Sequence, residues 1–281
     1  MIQIMGMPFQ LNELGNISNT ERMIIQRMYE DPTTYSYSSV DEFLFEINAR
    51  KNVIDSSISM NDSEMEFTVF EYARCNPQYW YLTEMGGFLL RQDVRPSEAI
   101  QDIYRNSSLY AFDCSTACVI IYYHAILNSI GDQNFNLIFP NLYLYSWHAD
   151  SDLGLHNVYT NYFIPGDVVY FNNPDFHPDI HWLRGENAVV LGDDTFFGHG
   201  FGIMTAQQMI ETLNENRRPQ STQSAYLLNS ITRPNFIHLA RITLLQRGNY
   251  RYKQQPILIH HNQCSISFLQ YIFYLNQSLY Q

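Results

Sequence analysis

The chain has 281 residues, 46% of them apolar and 16% charged, which is enough to bury one sizeable core and excludes a disordered chain. Its net charge of −12 excludes the clustered basic surface that nucleic acid requires, with Arg217-Arg218 the densest basic pair. Four scattered cysteines, Cys75, Cys114, Cys118 and Cys264, exclude a disulfide framework and imply a reducing compartment. The segment "MIQIMGMPFQ" lacks a basic leader and a long apolar stretch, so no signal peptide is expected. No run reaches the roughly 18 apolar residues of a membrane span, so no membrane is expected either.

In chain order, residues 1 to 16 read as a loose terminus. "SNTERMIIQRMYEDP" predicts an amphipathic helix from about Thr20, capped by Asn19 and stopped before Pro32. Ser39 and Glu42 form a capping-box spacing ahead of a second helix with positions 40, 43, 44 and 47 on its apolar face. "YWYLTEMGGFLLR" predicts a hairpin turning at Gly86-Gly87, and "RPSEAIQDIYRNS" a helix with Pro96 in its first turn. From Cys114 the pattern is helical to about Asn128, with Gly131 as the stop. "PGDVVYF" (165–171) predicts a turn and a strand. "GENAVVLGDDTFFGHGFG" (185–202) predicts two strands around Gly192-Asp193-Asp194. Thr205 with Gln208 caps a helix through Arg217, ended by Pro219.

Helices first and an antiparallel sheet afterwards predict an α+β domain over residues 1–245, with N-terminal helices at about 17–60 and a core at about 65–235. The tail from about Arg247 has no charge after Lys253 and reads either as an additional helix or as an extension over 246–281.

Cys114 carries the first candidate chemistry. Zinc, a buried small hydrophobe and a nucleophile at a helix mouth all compete for it. Unpaired N–H groups at a helix start favour an anion and can bring a thiol pKa down from about 8.5. Cys118, one turn on among Val119, Ile120 and Ile121, reads as a buried hydrophobe. In the 185–202 hairpin a two-residue loop about Gly192-Asp193 sets position 186 opposite 199, and a three-residue loop sets it opposite 200. Glu186 and His199 are then opposite or one step diagonal. A thiol followed by a strand carboxylate and a strand imidazole is the chain order of papain-like cysteine catalysis, with a surface Glu–His pair the plain alternative.

The segments "CNPQYW", "GGFLL", "LYAFDC", "LYSWHADSDL", "PGDVVYF", "GENAVVLG", "FFGHGFG" and "LNENRRP" occur in that order. They resemble the spore-coat protein-glutamine γ-glutamyltransferases of endospore-forming bacteria, over roughly residues 65 to 235. The resemblance implies a compact papain-like fold related to NlpC-type peptidases, calcium-independent joining of protein Gln to Lys with release of ammonia, and no cofactor. It implies Cys114 as nucleophile, Glu186 as its partner carboxylate and His199 assisting. The backup acid before the nucleophile falls on Asp113, one methylene shorter than the family's Glu. Trp147 and Trp182 match tryptophans of the substrate passage. Coat proteins would be the Gln and Lys substrates, with synthesis in the mother-cell cytoplasm and deposition in the spore coat.

A cell-wall peptidase or amidase using water as acceptor, and a non-enzymatic coat protein, are the competing classes. Lys is scarce: Lys51 and Lys253 stand against 14 Arg and 18 Gln, as suits an enzyme that avoids becoming its own acceptor substrate. His177 and His181 have a ligand-like spacing that Pro178 spoils, and "DSDLG" (150–154) lacks the rest of a calcium loop. His260-His261 carries no catalytic expectation.

Overall fold

The computed structural model describes residues 1–10, 15, 17–244, 258–261 and 264–267. Residues 1–10 are tied down rather than loose. β1 (Ile2–Ile4) pairs antiparallel with β2 (Met7–Pro8); α1 (Asn19–Glu30) follows, and β3 (Tyr35–Tyr37) runs parallel beside β1. Ile2, Ile4 and Phe9 hold this segment down because all three reach the core. The cap of α1 is Ser18, not Asn19. The Ser18 hydroxyl accepts from the Glu21 N–H and the Glu21 carboxylate accepts from the Ser18 N–H, a reciprocal box.

α2 (Val40–Asn61) starts at Ser39 as the sequence predicts. Its buried face differs from the expected one: Phe43, Ile47, Val53 and Ile54 are buried, while Val40 and Leu44 are 46% and 39% exposed. The reciprocal half of the box also shifts, because Glu42 Oε2 accepts from Ser38 N–H instead. Next come β4 (Glu66–Phe67), the hairpin β5 (Trp80–Leu82) and β6 (Phe88–Leu90), α3 (Pro96–Arg105) and β7 (Ala111–Phe112), which lies parallel to β4.

α4 (Cys114–Ile138) is the central element. Gly131 breaks its helical geometry with φ +75°, as the predicted stop requires, but the chain then resumes a helix to Ile138. By length and composition α4 could cross a bilayer, which corrects the reading that no run is apolar enough; 72% of its most apolar window is buried within the protein.

After α4, β8 (Tyr143–Leu144) adds a third strand to the β5–β6 hairpin. β9 (His156–Tyr159), β10 (Val168–Asn172), β11 (Gly185–Gly192), β12 (Thr195–Gly198) and β13 (Gly202–Thr205) lead to α5 (Ala206–Glu215), β14 (Tyr226–Arg233) and α6 (Phe236–Leu244). The main sheet runs β13-β12-β11-β10-β14-β9, every neighbour antiparallel. α5 has the complete Thr205–Gln208 box and ends at Glu215, two residues short of the predicted Arg217.

Period-two alternation sandwiches this sheet between two apolar layers. Val168, Val189, Leu191 and Phe197 join the core shared with α2, α3 and α4, while Val169, Ala188, Val190 and Phe196 join Met209 and Leu213 of α5. β11 is buried along its whole length, which makes it a rigid rail for whatever it carries. A charged knot locks α2 to the sheet. Arg50 is fully buried, with Nε 2.8 Å from Glu46 and Nη1 2.9 Å from Asp167, which Arg233 also reaches at 2.6 Å.

In the tail, β15 (Leu258–His261) and β16 (Cys264–Ser267) form an antiparallel hairpin rather than a helix. Lys253 and the remainder of the 246–281 extension lie outside the described residues.

Candidate active site

Asp113 starts the site by capping α4. One of its carboxylate oxygens accepts from the Ser115 N–H at 3.0 Å and from the Ser115 hydroxyl. The other accepts from the Thr116 N–H at 3.3 Å and from the Thr116 hydroxyl. Both oxygens are therefore occupied by the helix end, the ordinary role of Asp in this position. Burial pushes the Asp113 pKa up, and these four hydrogen bonds oppose the rise. Cys114 follows as the first helical residue.

β11 brings two side chains to the sulfur. The Glu186 carboxylate neighbours the Cys114 thiol closely enough to raise its pKa, and its Oε1 is buried without a hydrogen-bond partner. The Asn187 carboxamide Nδ2 donates to Cys114 Sγ at 3.5 Å. The reason is the register. β11 and β12 pair only as far as Ala188 opposite Gly198, after which β12 ends. Continued, the same register would set Asn187 opposite His199. The main-chain groups of Asn187 are left without that partner, and its C=O accepts instead from the Cys118 thiol at 3.9 Å. With the Asn187 side chain on Cys114, this explains two thiols one helical turn apart: both face the open end of the ladder.

The hairpin itself has the diagonal register. A bulge after Val190 and a two-residue turn at Asp193-Asp194, both at positive φ, place Glu186 in line with position 200, one step from His199. His199 is buried beyond the sulfur's immediate partners. Its Nε2 lies 3.2 Å from the Glu66 carbonyl, and its ring stacks on Phe112 at 4.7 Å. It thus clamps β7, the strand that leads directly into Asp113 and Cys114.

The electrostatics depart from the expected helix-start effect. Burial, the Glu186 carboxylate and the Asp113 carboxylate, in that order, push the Cys114 thiol well above its usual range, against the pull of Asn187. Glu186 is itself raised, chiefly by burial; the neighbouring Cys114 thiol opposes the rise and Asp113 adds to it. Two buried anions in contact are costly, so the pair retains a proton between them. The helix-start donors that would have favoured a thiolate are spent on Asp113. Burial depresses His199 to about 4, so its imidazole is neutral at pH 7.

Of the two tryptophans, Trp147 is buried next to Ser146, whose N–H donates to Thr116 Oγ1 at 2.8 Å; this fastens the loop to the first turn of α4. The Trp147 indole N–H is buried without a partner. Trp182 is half-buried, set edge-on to His181 in a short helical segment that ends just before Glu186. Among the described residues no group of three His, Cys, Asp or Glu is placed to hold a metal ion. Asn187 is the residue that sequence reasoning missed; its only signal was its position next to Glu186.

A half-buried thiol meeting a buried carboxylate and a buried carboxamide at one helix start, on an α+β frame, has the parts needed for acyl transfer through sulfur. Residues 1–243 match the family model described as protein-glutamine gamma-glutamyltransferase. Relatives of that description include one from Halalkalibacterium halodurans, 55% identical over 275 residues (98% of this chain and 97% of the relative). Another, from Bacillus pumilus, is 38% identical over 86% of this chain and 99% of its own length. The solved transglutaminase from Geobacillus stearothermophilus without its C-terminal extension superposes with a TM-score of 0.70 at 46% identity, covering 72% of this chain and 97% of that one. The chain belongs to the protein-glutamine γ-glutamyltransferase family and is a transglutaminase. The match extends N-terminally past the 65–235 segment of the sequence resemblance, in keeping with the buried β1.

Proposed function

We propose that this transglutaminase works by cysteine catalysis, with Cys114 as nucleophile and Glu186 as its base, on a papain-like core formed by α4 and the main sheet within a single catalytic domain of residues 1–245. The observation that carries the reading is the approach of β11 to the start of α4, where Asn187 Nδ2 donates to Cys114 Sγ at 3.5 Å and the buried carboxylate of the adjacent Glu186 acts on the same thiol. Glu186 takes the thiol proton as sulfur attacks the Gln carboxamide carbon. The C–N bond then breaks, the same proton goes to the departing nitrogen, and ammonia leaves a thioester on Cys114. A neutral Lys ε-amine attacks that thioester, Glu186 collects the surplus N–H proton, and its return to sulfur regenerates the thiol beside the new isopeptide bond.

In this reading Glu186, not His199, does the base work, because a neutral ring on the Glu66 carbonyl and Phe112 is placed to hold β7. Asp113 serves as the cap, its oxygens being engaged. Trp147 and Trp182 flank the segments that carry Cys114 and Glu186, which suits walls of a substrate passage.

The reaction needs no calcium and no cofactor, and the substrates are spore-coat proteins, cross-linked after the enzyme leaves the mother-cell cytoplasm for the coat. The sparing use of Lys supports this setting: the chain offers two side-chain amines, Lys51, paired with Asp55 at 2.6 Å, and Lys253. The test gives wild type and Cys114→Ala a Gln peptide and a fluorescent primary amine in EDTA. Amine incorporation with ammonia release by the wild type alone is the expected result. Ammonia without incorporation would make the chain a hydrolase, and incorporation by Cys114→Ala would remove Cys114 from the mechanism.

A further inference from the structure

The sulfur of Cys114 sits where two carboxylates oppose its ionisation. Asp113 adjoins it in the chain, the Glu186 carboxylate neighbours it from β11, and Cys118 lies one turn further along the same helix. Its hydrogen-bond donor is Asn187, whose carboxamide Nδ2 reaches Sγ at 3.5 Å. The residue is held against α4 because its carbonyl accepts from the Cys118 thiol at 3.9 Å.

A buried Asn with a purely structural task normally has both ends of its amide satisfied. Asn187 is 6% exposed, and its Oδ1 is buried without a hydrogen-bond partner. The side chain is committed at the sulfur end only.

We propose that Asn187 is a catalytic residue of this transglutaminase, whose carboxamide N–H holds the Cys114 sulfur as a thiolate while Glu186 takes the proton. The inference rests on the reading of Cys114 as nucleophile. The step is a proton transfer: the S–H bond breaks, the proton forms an O–H bond on Glu186, and the electron pair stays on sulfur. An N–H donor gains strength when its acceptor becomes an anion, so this hydrogen bond tightens as the thiolate forms and acts on the activated state more than on the resting thiol.

Asn187 also completes a division of labour that Glu186 cannot manage alone. The carboxylate that accepts the proton is the group whose charge opposes the thiolate, and its protonation removes that opposition only after the transfer. A fixed neutral dipole assists the sulfur throughout without adding charge to the buried site.

The test reads the thiol itself as well as turnover. The pH dependence of Cys114 alkylation by iodoacetamide is followed by peptide mass mapping on the full chain, for wild type, Asn187→Ala and the near-isosteric Asn187→Asp. Both variants are expected to move the alkylation midpoint up by about one to two pH units, since a hydrogen bond to a charged group is worth roughly that much. Amine incorporation is expected to lose ten- to a hundredfold in kcat, with KM for the Gln peptide within about twofold. Far-UV circular dichroism and melting establish that a variant is folded, and Asn187→Asp decides if Asn187→Ala is not.

An unchanged alkylation profile in a folded variant overturns the proposal, even where activity is lost, because that outcome marks a positioning role. Transfer that survives in Cys114→Ala overturns instead the reading on which the proposal rests.

Discussion

A β-carbon on Gly198 would stand 2.8 Å from Oε1 of Glu186 and 3.0 Å from its Cγ, so the Glu186 carboxyl occupies room that the missing side chain leaves free. Gly198 is the last residue of β12, diagonal to Glu186 across the ladder, and it is not at positive φ. Gly198→Ala is therefore expected to fold, with a loss of no more than about 1–2 kcal/mol. It should displace the carboxyl from the thiol and lower kcat at least tenfold, since a shift of about 1 Å in a reacting group is enough for that. Thermal melting beside amine-incorporation kinetics checks it; full activity in a folded Gly198→Ala would show that the carboxyl position is not critical.

Glu186 opposes ionisation of Cys114 in the resting protein and, in the proposed mechanism, accepts its proton; one substitution separates these effects. Glu186→Gln removes the charge, so the thiol midpoint should fall and alkylation at pH 7 should become faster than in wild type. Amine incorporation should nevertheless drop by about 10²- to 10⁴-fold, the usual contribution of a placed general base. A more reactive thiol in a less active enzyme is the expected signature. Activity that rises together with alkylation would dismiss Glu186 as base.

What could be read from sequence was local. Ser39 before α2, Pro96 at the start of α3, the Thr205–Gln208 box and the Gly86-Gly87 hairpin act within a few residues of themselves, and each is where the pattern put it. The helix start and the hairpin pairing nominated Cys114, Glu186 and His199, and the resemblance gave them their expected roles; the structure brings Cys114 and Glu186 together. The rest depends on distant partners. His199 looked like a neighbour of Glu186 on a hairpin, but its ring is held by a carbonyl 133 residues earlier in the chain. Asn187 carries no motif of its own; its carboxamide meets the sulfur where β12 stops at Gly198, and a bulge after Val190 sets the register there. The burial that raises the thiol pKa is likewise a property of packing, whereas sequence shows only the helix start, which argues the other way.

Asp113 offers a contrasting pair of variants. Asn is as good a cap as Asp, so Asp113→Asn keeps an acceptor for the first turn of α4 while removing a charge that pushes the Cys114 thiol up. The alkylation midpoint should fall, stability should change by less than about 1 kcal/mol, and transfer should fall by less than tenfold. Asp113→Ala loses the cap and should cost about 1–2 kcal/mol. Urea melts of the two variants with the alkylation profile check both statements; a collapse of transfer in folded Asp113→Asn would give Asp113 a share in the chemistry.

Two buried imidazoles make the fold acid-sensitive in a calculable direction. His199, against the Glu66 carbonyl and Phe112, and His124, stacked on Tyr104 at 3.7 Å and bonded to Ser56 Oγ at 2.8 Å, are each depressed to about 4, chiefly by burial. In the unfolded chain a His titrates near 6.5. Between those values the unfolded chain binds the extra proton, so unfolding free energy rises with pH and falls as the solution is acidified. The loss begins near pH 6.5 and is complete just below pH 4, at about 3 kcal/mol for each ring. Glu186 and Asp113, whose pKa values are raised in the fold, act in the opposite sense, so the contribution of one His is best isolated by difference. His124 lies outside the candidate site, and His124→Gln cannot acquire the proton. Chemical denaturation at pH 7 and at pH 4.5 should show the wild type losing about 2 kcal/mol more than His124→Gln across that interval. Equal losses in the two proteins would mean that His124 keeps an ordinary pKa in the folded state.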